Sequence, residues 1–266
     1  MIFRIICLVL FSLRVCGQTF NGAPLQAMGN TGLAAESIYS ITNNAAGIAN
    51  LSKLTAAIAY QPHFMSGKLR TQAMYIAVPT RRIGTLGWSI RNYGIAQVSS
   101  FLTSSLVYGR NFGGIISTSF SANYHRYTVH DYMGDHTFSL DLGAQVTFSE
   151  SVRIGLLVRN ATISKFKDDT EQYLPVEGGA GFWYKISEEL SLSSDAYYEQ
   201  HRGFNLRGGV AYSIANVVCL RAGASSDPMQ YHGGVGIQWG SFQFDVSSSF
   251  HSRLGSSPQF ALAYAF

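Results

Sequence analysis

The sequence predicts a transmembrane antiparallel β-barrel of about 14 strands, preceded by a short plug segment. Three observations favour this fold class. Nearly every residue after position 52 belongs to short segments in which apolar residues alternate with small or polar ones. Aromatic residues gather near the ends of these segments. After position 17 no apolar run is long enough for a spanning helix, so a closed barrel is the remaining way for a secreted chain to enter a membrane.

The alternation has a period of two residues. Phe138, Leu140 and Leu142 alternate with Ser139 and Asp141, so that one face is apolar and the other polar. A soluble β-sandwich also alternates, with its apolar face inward. The repetition over almost the whole chain and the aromatic strand ends instead favour a lipid-facing wall with two interfacial girdles.

The even strand number predicts that both chain termini lie on the periplasmic side, with short turns there and longer loops outside. The predicted strands are 53–64, 68–79, 83–96, 100–111, 115–129, 136–148, 152–165, 175–186, 190–201, 203–213, 217–226, 231–240, 242–251 and 258–266. The predicted barrel domain therefore covers 53–266.

Residues 1–17 have the features of a signal peptide, with Arg4 before an apolar run and Val15-Cys16-Gly17 at the cleavage site. Cleavage removes Arg4 and Arg14 and so lowers the formal net charge from +4 by two. The remaining charge gives no support for a nucleic-acid partner. Cys219 is the one cysteine left after cleavage, which excludes an intramolecular disulfide.

Residues 18–52 form the predicted plug. Gly22, Gly29 and Gly32 interrupt any long helix in this segment. Its apolar side chains favour a segment folded into the barrel, and a disordered leader is the alternative. We expect the junction at Asn43, Asn44 and Gly47 to close against the first strands, with Gly47 in a contact too close for a larger residue.

Two N-terminal segments resemble a known family. Residues 27–32 (AMGNTG) and 43–49 (NNAAGIA) are similar to the N-terminus of FadL-type outer-membrane proteins, especially the PorV/PorQ-like branch of bacteria that use type IX secretion. The resemblance implies 14 strands with an N-terminal plug. Tyr264 and Phe266 resemble the C-terminal signal that the outer-membrane assembly machinery reads.

The predicted lumen carries charges of both signs, as expected for a network of paired groups that fills a narrow interior. A polar permeation path is the alternative. The inward positions are Arg91, Asp141, Arg153, Arg159, Glu177, Asp195, Arg207, Arg221 and Asp245. The densest cluster of catalytic residue types, His130–His136, is interpreted as a solvated loop rather than an enzyme site.

The preferred functional interpretation is a non-enzymatic barrel in the outer membrane of a Gram-negative bacterium. The PorV-like resemblance implies a role in protein export or surface assembly through a secretion-system or surface partner. The alternative is a FadL-like transporter of hydrophobic small molecules. Neither interpretation requires a cofactor or a metal, and both place the barrel in contact with outer-membrane lipid.

Overall fold

The computed structural model describes residues 20–80, 82–130, 133–167 and 174–266. These residues form a closed antiparallel barrel of 14 strands, which confirms the fold class predicted from the sequence. Each strand pairs with its neighbour in the chain, and the last strand closes on the first. The predicted signal peptide, 1–17, lies outside the described residues.

The strand bounds agree with the sequence prediction within a few residues at most ends. The strands are β1 Thr55–Pro62, β2 Leu69–Thr80, β3 Gly84–Ile95, β4 Ser99–Phe112, β5 Ile116–Val129, β6 Met133–Ser149, β7 Val152–Arg159, β8 Glu177–Lys185, β9 Leu190–Glu199, β10 Gly203–Ile214, β11 Val218–Ser226, β12 Met229–Trp239, β13 Phe242–His251 and β14 Gly255–Ala265.

The largest departure from the prediction is the early end of β7. The sequence predicted a strand to position 165, but the strand ends at Arg159. Asn160 and Ile163 both have positive φ, of 51° and 53°, which breaks the extended backbone. The Asn160 side chain stabilises the turn, because its Oδ1 accepts from Ser164 N (2.9 Å) and its Nδ2 donates to Ser164 O (3.1 Å).

The two ends of the barrel differ. At one end, here the turn end, β1 begins, β14 ends and the even-numbered strands connect to the next strand by short turns. The opposite end, here the loop end, carries the link between β7 and β8, which is the longest in the barrel. Only two loop-end links, 63–68 and 160–176, are longer than the turns at the other end. The prediction of longer loops at the outer end is therefore wrong for the other five links, which have two or three residues each.

The wall has an apolar outer face. Phe138 and Leu142 are 65% and 49% exposed, whereas their neighbour Ser139 is buried. This alternation continues around the barrel, so the exposed apolar side chains form a continuous band suited to lipid.

The plug occupies the lumen. It contains the helix α1 (Ala23–Ala27) and the 3₁₀ helices η1 (Ile38–Thr42) and η2 (Ala45–Asn50). A third 3₁₀ turn, η3 (His63–Met65), links β1 to β2. No helix in the described part of the chain is long and apolar enough to cross a membrane. Helix α1 stays short because Gly22 before it and Gly29 and Asn30 after it adopt positive φ.

The plug contacts most of the inner wall. Helix α1 packs against β11 to β14, η1 against β1 to β4, and η2 against β3 to β6. An apolar core joins the plug to β14, β1 and β2, where the wall contributes mainly alanine and the plug contributes larger side chains. Its members include Phe20, Leu25, Ile38, Tyr39, Ile41, Ile48, Ala57, Ala59, Ala73, Tyr75, Ala77, Ala261 and Ala263.

Candidate functional site

The segment that the sequence singled out as the junction lies inside the barrel. Asn44 is fully buried, and its Nδ2 donates to Leu33 O (2.7 Å) and Ala144 O (3.0 Å). Its Oδ1 accepts from Ala46 N (3.2 Å) and so begins η2. A Cβ at Gly47 would collide with Ala35 O. The junction therefore holds the plug to β6 as well as to itself, since Asn44 bonds to the backbone of that strand.

A pair of glycines lets the plug backbone lie directly on the wall. Gly209 of β10 and Gly223 of β11 are register partners and both face inward under Met28 and Gly29. A Cβ at Gly209 would lie 2.7 Å from both the Cα and the carbonyl carbon of Met28. No other residue type fits this approach without displacement of the plug.

Asp195 fixes the next turn of the plug. Its Oδ2 accepts from Gly32 N (2.7 Å) and Leu33 N (3.1 Å). Gln145 Nε2 of β6 donates to Leu33 O (2.9 Å) and Ala35 O (3.0 Å). Four polar contacts therefore hold a segment of only a few residues in place.

The other residues predicted to be lumen charges also face inward, and their partners are close by. Arg221 Nη1 pairs with Asp245 Oδ1 (2.7 Å) two strands away. Arg159 pairs with Glu177, its register partner on β8. Both pairs join strands one or two apart rather than opposite walls, because the plug fills the space between those walls.

Two arginines contact the plug itself. Arg153 pairs with Glu36 of the plug, and its guanidinium lies 4.0 Å from the centre of the Trp183 ring. Arg207 donates to Asn30 O (3.1 Å) and stacks 4.0 Å over the Tyr197 ring. No local pattern in the sequence indicates Glu36 as the partner of Arg153, because the path of the plug depends on distant contacts.

Arg91 and Asp141 belong to one polar cluster in the lumen. Asp141 accepts from Asn123 Nδ2 (2.8 Å) and from Asn160 N (2.8 Å). Arg91 lies close enough to Asp141 and Tyr75 to interact electrostatically. The carboxylate is thus satisfied by neutral donors on the wall while the guanidinium remains near it.

The rim cluster His130–His136 is not assembled into a site in the part that the structure describes. Asp131 and Tyr132 lie outside the described residues. Asp135 points inward and accepts from Lys167 N (2.6 Å), whereas His136 is exposed on the outer face. Among described residues, no group of three or more histidine, cysteine or acidic side chains could hold a metal ion.

His63 is a buried histidine at the loop end, in η3 and outside the strands. Its Nε2 lies 2.7 Å from Thr71 Oγ1, and its ring meets Tyr93 edge to face at 5.3 Å. Burial lowers the pKa of His63 to about 4. The side chain is therefore neutral at neutral pH.

The two residues of the expected assembly signal lie at the turn end. Tyr264 packs against Phe242 (4.6 Å between ring centres) and Phe266 (4.7 Å). Phe266 N also donates to Leu54 O (2.9 Å). They form part of the aromatic girdle at this end, and their role in assembly stays a prediction.

The outer wall carries a lateral groove that the sequence analysis missed. Its cavity volume is about 670 Å³, and it extends over β13, β14, β1, β2, β3 and β4. Outward side chains such as Ile58, Met74 and Phe260 line it, with Gln72 and Asn92 toward the loop end. The groove is thus an apolar concavity on the face that meets lipid.

An alanine-rich inner face lies directly behind the groove. Ala59, Ala73 and Ala261 face inward, so this side of the wall can approach the plug closely. The same residues contribute to the floor of the outer cavity. A run of inward alanines on three adjacent strands was the available sequence signal, and its meaning depended on knowing that the three strands are neighbours in the closed barrel.

The fold and the filled lumen define a class: plugged, 14-stranded barrels of the outer-membrane type. No family model matches the sequence, and no curated protein does. Among solved structures, the fold is similar to that of FadL-type barrels. The Ralstonia pickettii toluene transporter TbuX has a TM-score of 0.68 at 11% identity, covering 94% of this chain and 99% of that one.

Two further structures support the same fold. The Pseudomonas putida toluene transporter TodX has a TM-score of 0.68 at 10% identity, covering 93% of this chain and 99% of that one. A Pseudomonas aeruginosa FadL homologue has a TM-score of 0.65 at 12% identity, covering 92% and 98%. Two of these three neighbours are named as transporters, and the fold of this chain is similar to that of FadL-type barrels.

Proposed function

We propose that this protein is a non-enzymatic barrel in the outer membrane of a Gram-negative bacterium, and that it passes small hydrophobic molecules. The observation that carries the proposal is the apolar contact between plug and wall, which lies on the lumen side of the strands that bear the lateral groove. Structural neighbours named as toluene transporters and a monoaromatic hydrocarbon channel support it. The alternative interpretation in the sequence analysis thus becomes the preferred one.

The proposed route for an apolar solute follows the contact between the plug and the inner wall. The strand ladders on either side of β1 are continuous, so the groove and the lumen are separated by paired backbone. On the lumen side, Phe20, Ile38 and Tyr39 cover the alanine strip of β14, β1 and β2. Movement of the plug uncovers this strip, and an apolar solute then has a dry path along the inner wall.

A disulfide tether between plug and wall tests whether the plug must move. A Cβ at Gly109 of β4 would lie 3.1 Å from Ile48 Cγ1 of η2, so Ile48→Cys and Gly109→Cys place two sulfurs within bonding reach. Cys219→Ser removes the competing thiol. In whole cells that lack other hydrocarbon channels, oxidation should stop uptake of radiolabelled toluene and reduction should restore it.

The tether has its own controls. Each single-cysteine variant should transport equally under oxidising and reducing conditions. Equal uptake by the oxidised and reduced double-cysteine protein, with the disulfide shown by mass spectrometry, would contradict a route that needs the plug to move.

The export role implied by the PorV/PorQ-like resemblance is the second candidate. The filled lumen favours it, because a barrel whose plug contacts the wall on most sides can act by its surfaces alone. Purification from native outer membranes in mild detergent should then recover a stoichiometric protein partner. A barrel that purifies alone but takes up toluene would leave transport as the function.

A further inference from the structure

The outer face of the barrel becomes polar and basic on one side of the loop end. In β5 and β6, the ring centres of Tyr124 and Phe138 lie 5.1 Å apart, and these two side chains mark the aromatic belt. The next outward residues toward the loop end are Arg126 and its register partner His136, and both are exposed. β5 and β6 have 14 and 17 residues, whereas about 9–11 suffice to cross a bilayer.

A small pocket lies beside this extension, also on the outside of the barrel. Its volume is about 200 Å³, and the turn from β3 to β4 forms one wall. Outward polar side chains converge on it from Arg70, Gln72, Asn92 and Ser100. Ser100 Oγ donates to Asn92 Oδ1 (2.6 Å), which leaves the amide hydrogens of Asn92 for another acceptor.

The described outer face of β2 to β6 carries basic side chains and no acidic ones. No ion pair between described residues involves Arg70 or Arg126. The described outward positions of β2 to β6 include no carboxylate, and Asp131 lies outside the described residues. Arginines that have no ion-pair partner among the described residues favour an anionic ligand, and a guanidinium fits the oxygens of a phosphate.

The pocket continues into the lateral groove. Gln72 and Asn92 line both cavities, so a polar site and an apolar channel of about 670 Å³ share one boundary. Below that boundary the groove is lined by Met74, Ile90 and Leu102. The combined surface fits an amphiphilic ligand, with its anionic headgroup at the polar pocket and its hydrocarbon chain along the apolar groove.

We propose that this surface, here the rim site (Arg70, Gln72, Asn92, Ser100 and Arg126), binds a phosphorylated, acylated glycolipid of the outer leaflet. The two headgroup phosphates meet Arg70 and Arg126, and an acyl chain lies in the groove. Arg70 and Arg126 stand on opposite sides of the turn from β3 to β4, so one headgroup with two phosphates can engage both. The proposal needs the loop end to face outward, and it does not depend on solute transport.

The test measures binding of lipid A to the purified full barrel by native mass spectrometry in detergent. Wild type should retain bisphosphorylated lipid A, and Arg70→Gln with Arg126→Gln should weaken its affinity by at least about tenfold. Arg253→Gln is the matched control, because Arg253 lies at the loop end between β13 and β14, outside the rim site.

Wild type alone gives a second comparison that needs no variant. Dephosphorylated lipid A should bind at least about tenfold more weakly than the bisphosphorylated form. Equal binding of the two lipids would show an apolar site only and overturn the proposal. Equal binding by wild type and the double variant would also overturn it, as would a protein that occupies this face in place of lipid.

Discussion

Gly209→Ala is the most direct test of how the plug is held. Gly209 faces inward beneath Met28, and a Cβ would lie 2.7 Å from two backbone carbon atoms of the plug. Ordinary contact begins at 3.4 Å, so Met28 must move by roughly 0.7 Å or more. The backbone of Met28 cannot rotate away from the added Cβ as a flexible side chain can. The added methyl group should therefore lift the plug from β10.

The magnitude follows from what that movement disturbs. Overpacking of a close contact costs about 1–3 kcal/mol. Displacement of Met28 and Gly29 also strains the bond from Arg207 to Asn30 O, and a hydrogen bond to a charged group contributes about 1.5–3 kcal/mol. We expect a loss of about 3–5 kcal/mol in the free energy of plug docking. A loss of about 4 kcal/mol raises the undocked population roughly a thousandfold.

Limited proteolysis reads out that population. Tyr39 is 0% exposed in the docked plug, so chymotrypsin should cut after it only when the plug leaves. Intact mass after digestion should show this cut much faster in Gly209→Ala than in wild type. Gly208→Ala is the matched control, since its Cβ would meet nothing within 4 Å. Equal cutting rates in Gly209→Ala and Gly208→Ala would refute the steric argument.

Two further predictions concern polar groups. Arg159→Gln should lower the unfolding free energy by roughly 3 kcal/mol in urea titrations, because Glu177 loses its partner, and adding Glu177→Gln should recover part of the loss. The folded-state pKa of His63, about 4, lies below its unfolded value of about 6.5, so its contribution to stability is present above pH 6.5 and lost as pH falls toward 4. The loss should reach at most about 3 kcal/mol, and His63→Gln should flatten the pH dependence measured by urea titration; an unchanged slope would rule out His63 as its source.

The sequence was sufficient for the barrel because the signal is local. An alternating strand shows its two faces within a few residues, and a turn shows itself through its glycine or polar residues. The early end of β7 was missed for the opposite reason. Residues 160–165 keep an apolar alternation, but the side chain of Asn160 stabilises a turn with Ser164, and no strand-level pattern reports that bond.

The inward charges were also readable, because their alternation with apolar neighbours fixes the face they occupy. Their partners were not. Glu36 meets Arg153, and Gly32 and Leu33 meet Asp195, only because the plug takes a particular path through the lumen. That path depends on contacts between residues more than a hundred positions apart in the chain. A single sequence contains no local trace of such contacts.

The inward alanines of β14, β1 and β2 connect the plug with the groove. Ala59, Ala73 and Ala261 have side chains too small to fill the lumen, so the plug supplies Phe20 and Tyr39 to pack against them. The groove lies on the outer surface of the same strands, and these alanines contribute to its floor. A solute or lipid chain in the groove is thus separated from the plug by little more than backbone. Any change that moves the plug should alter the groove, and occupancy of the groove should in turn alter how firmly the plug is held, since thermodynamic coupling is reciprocal.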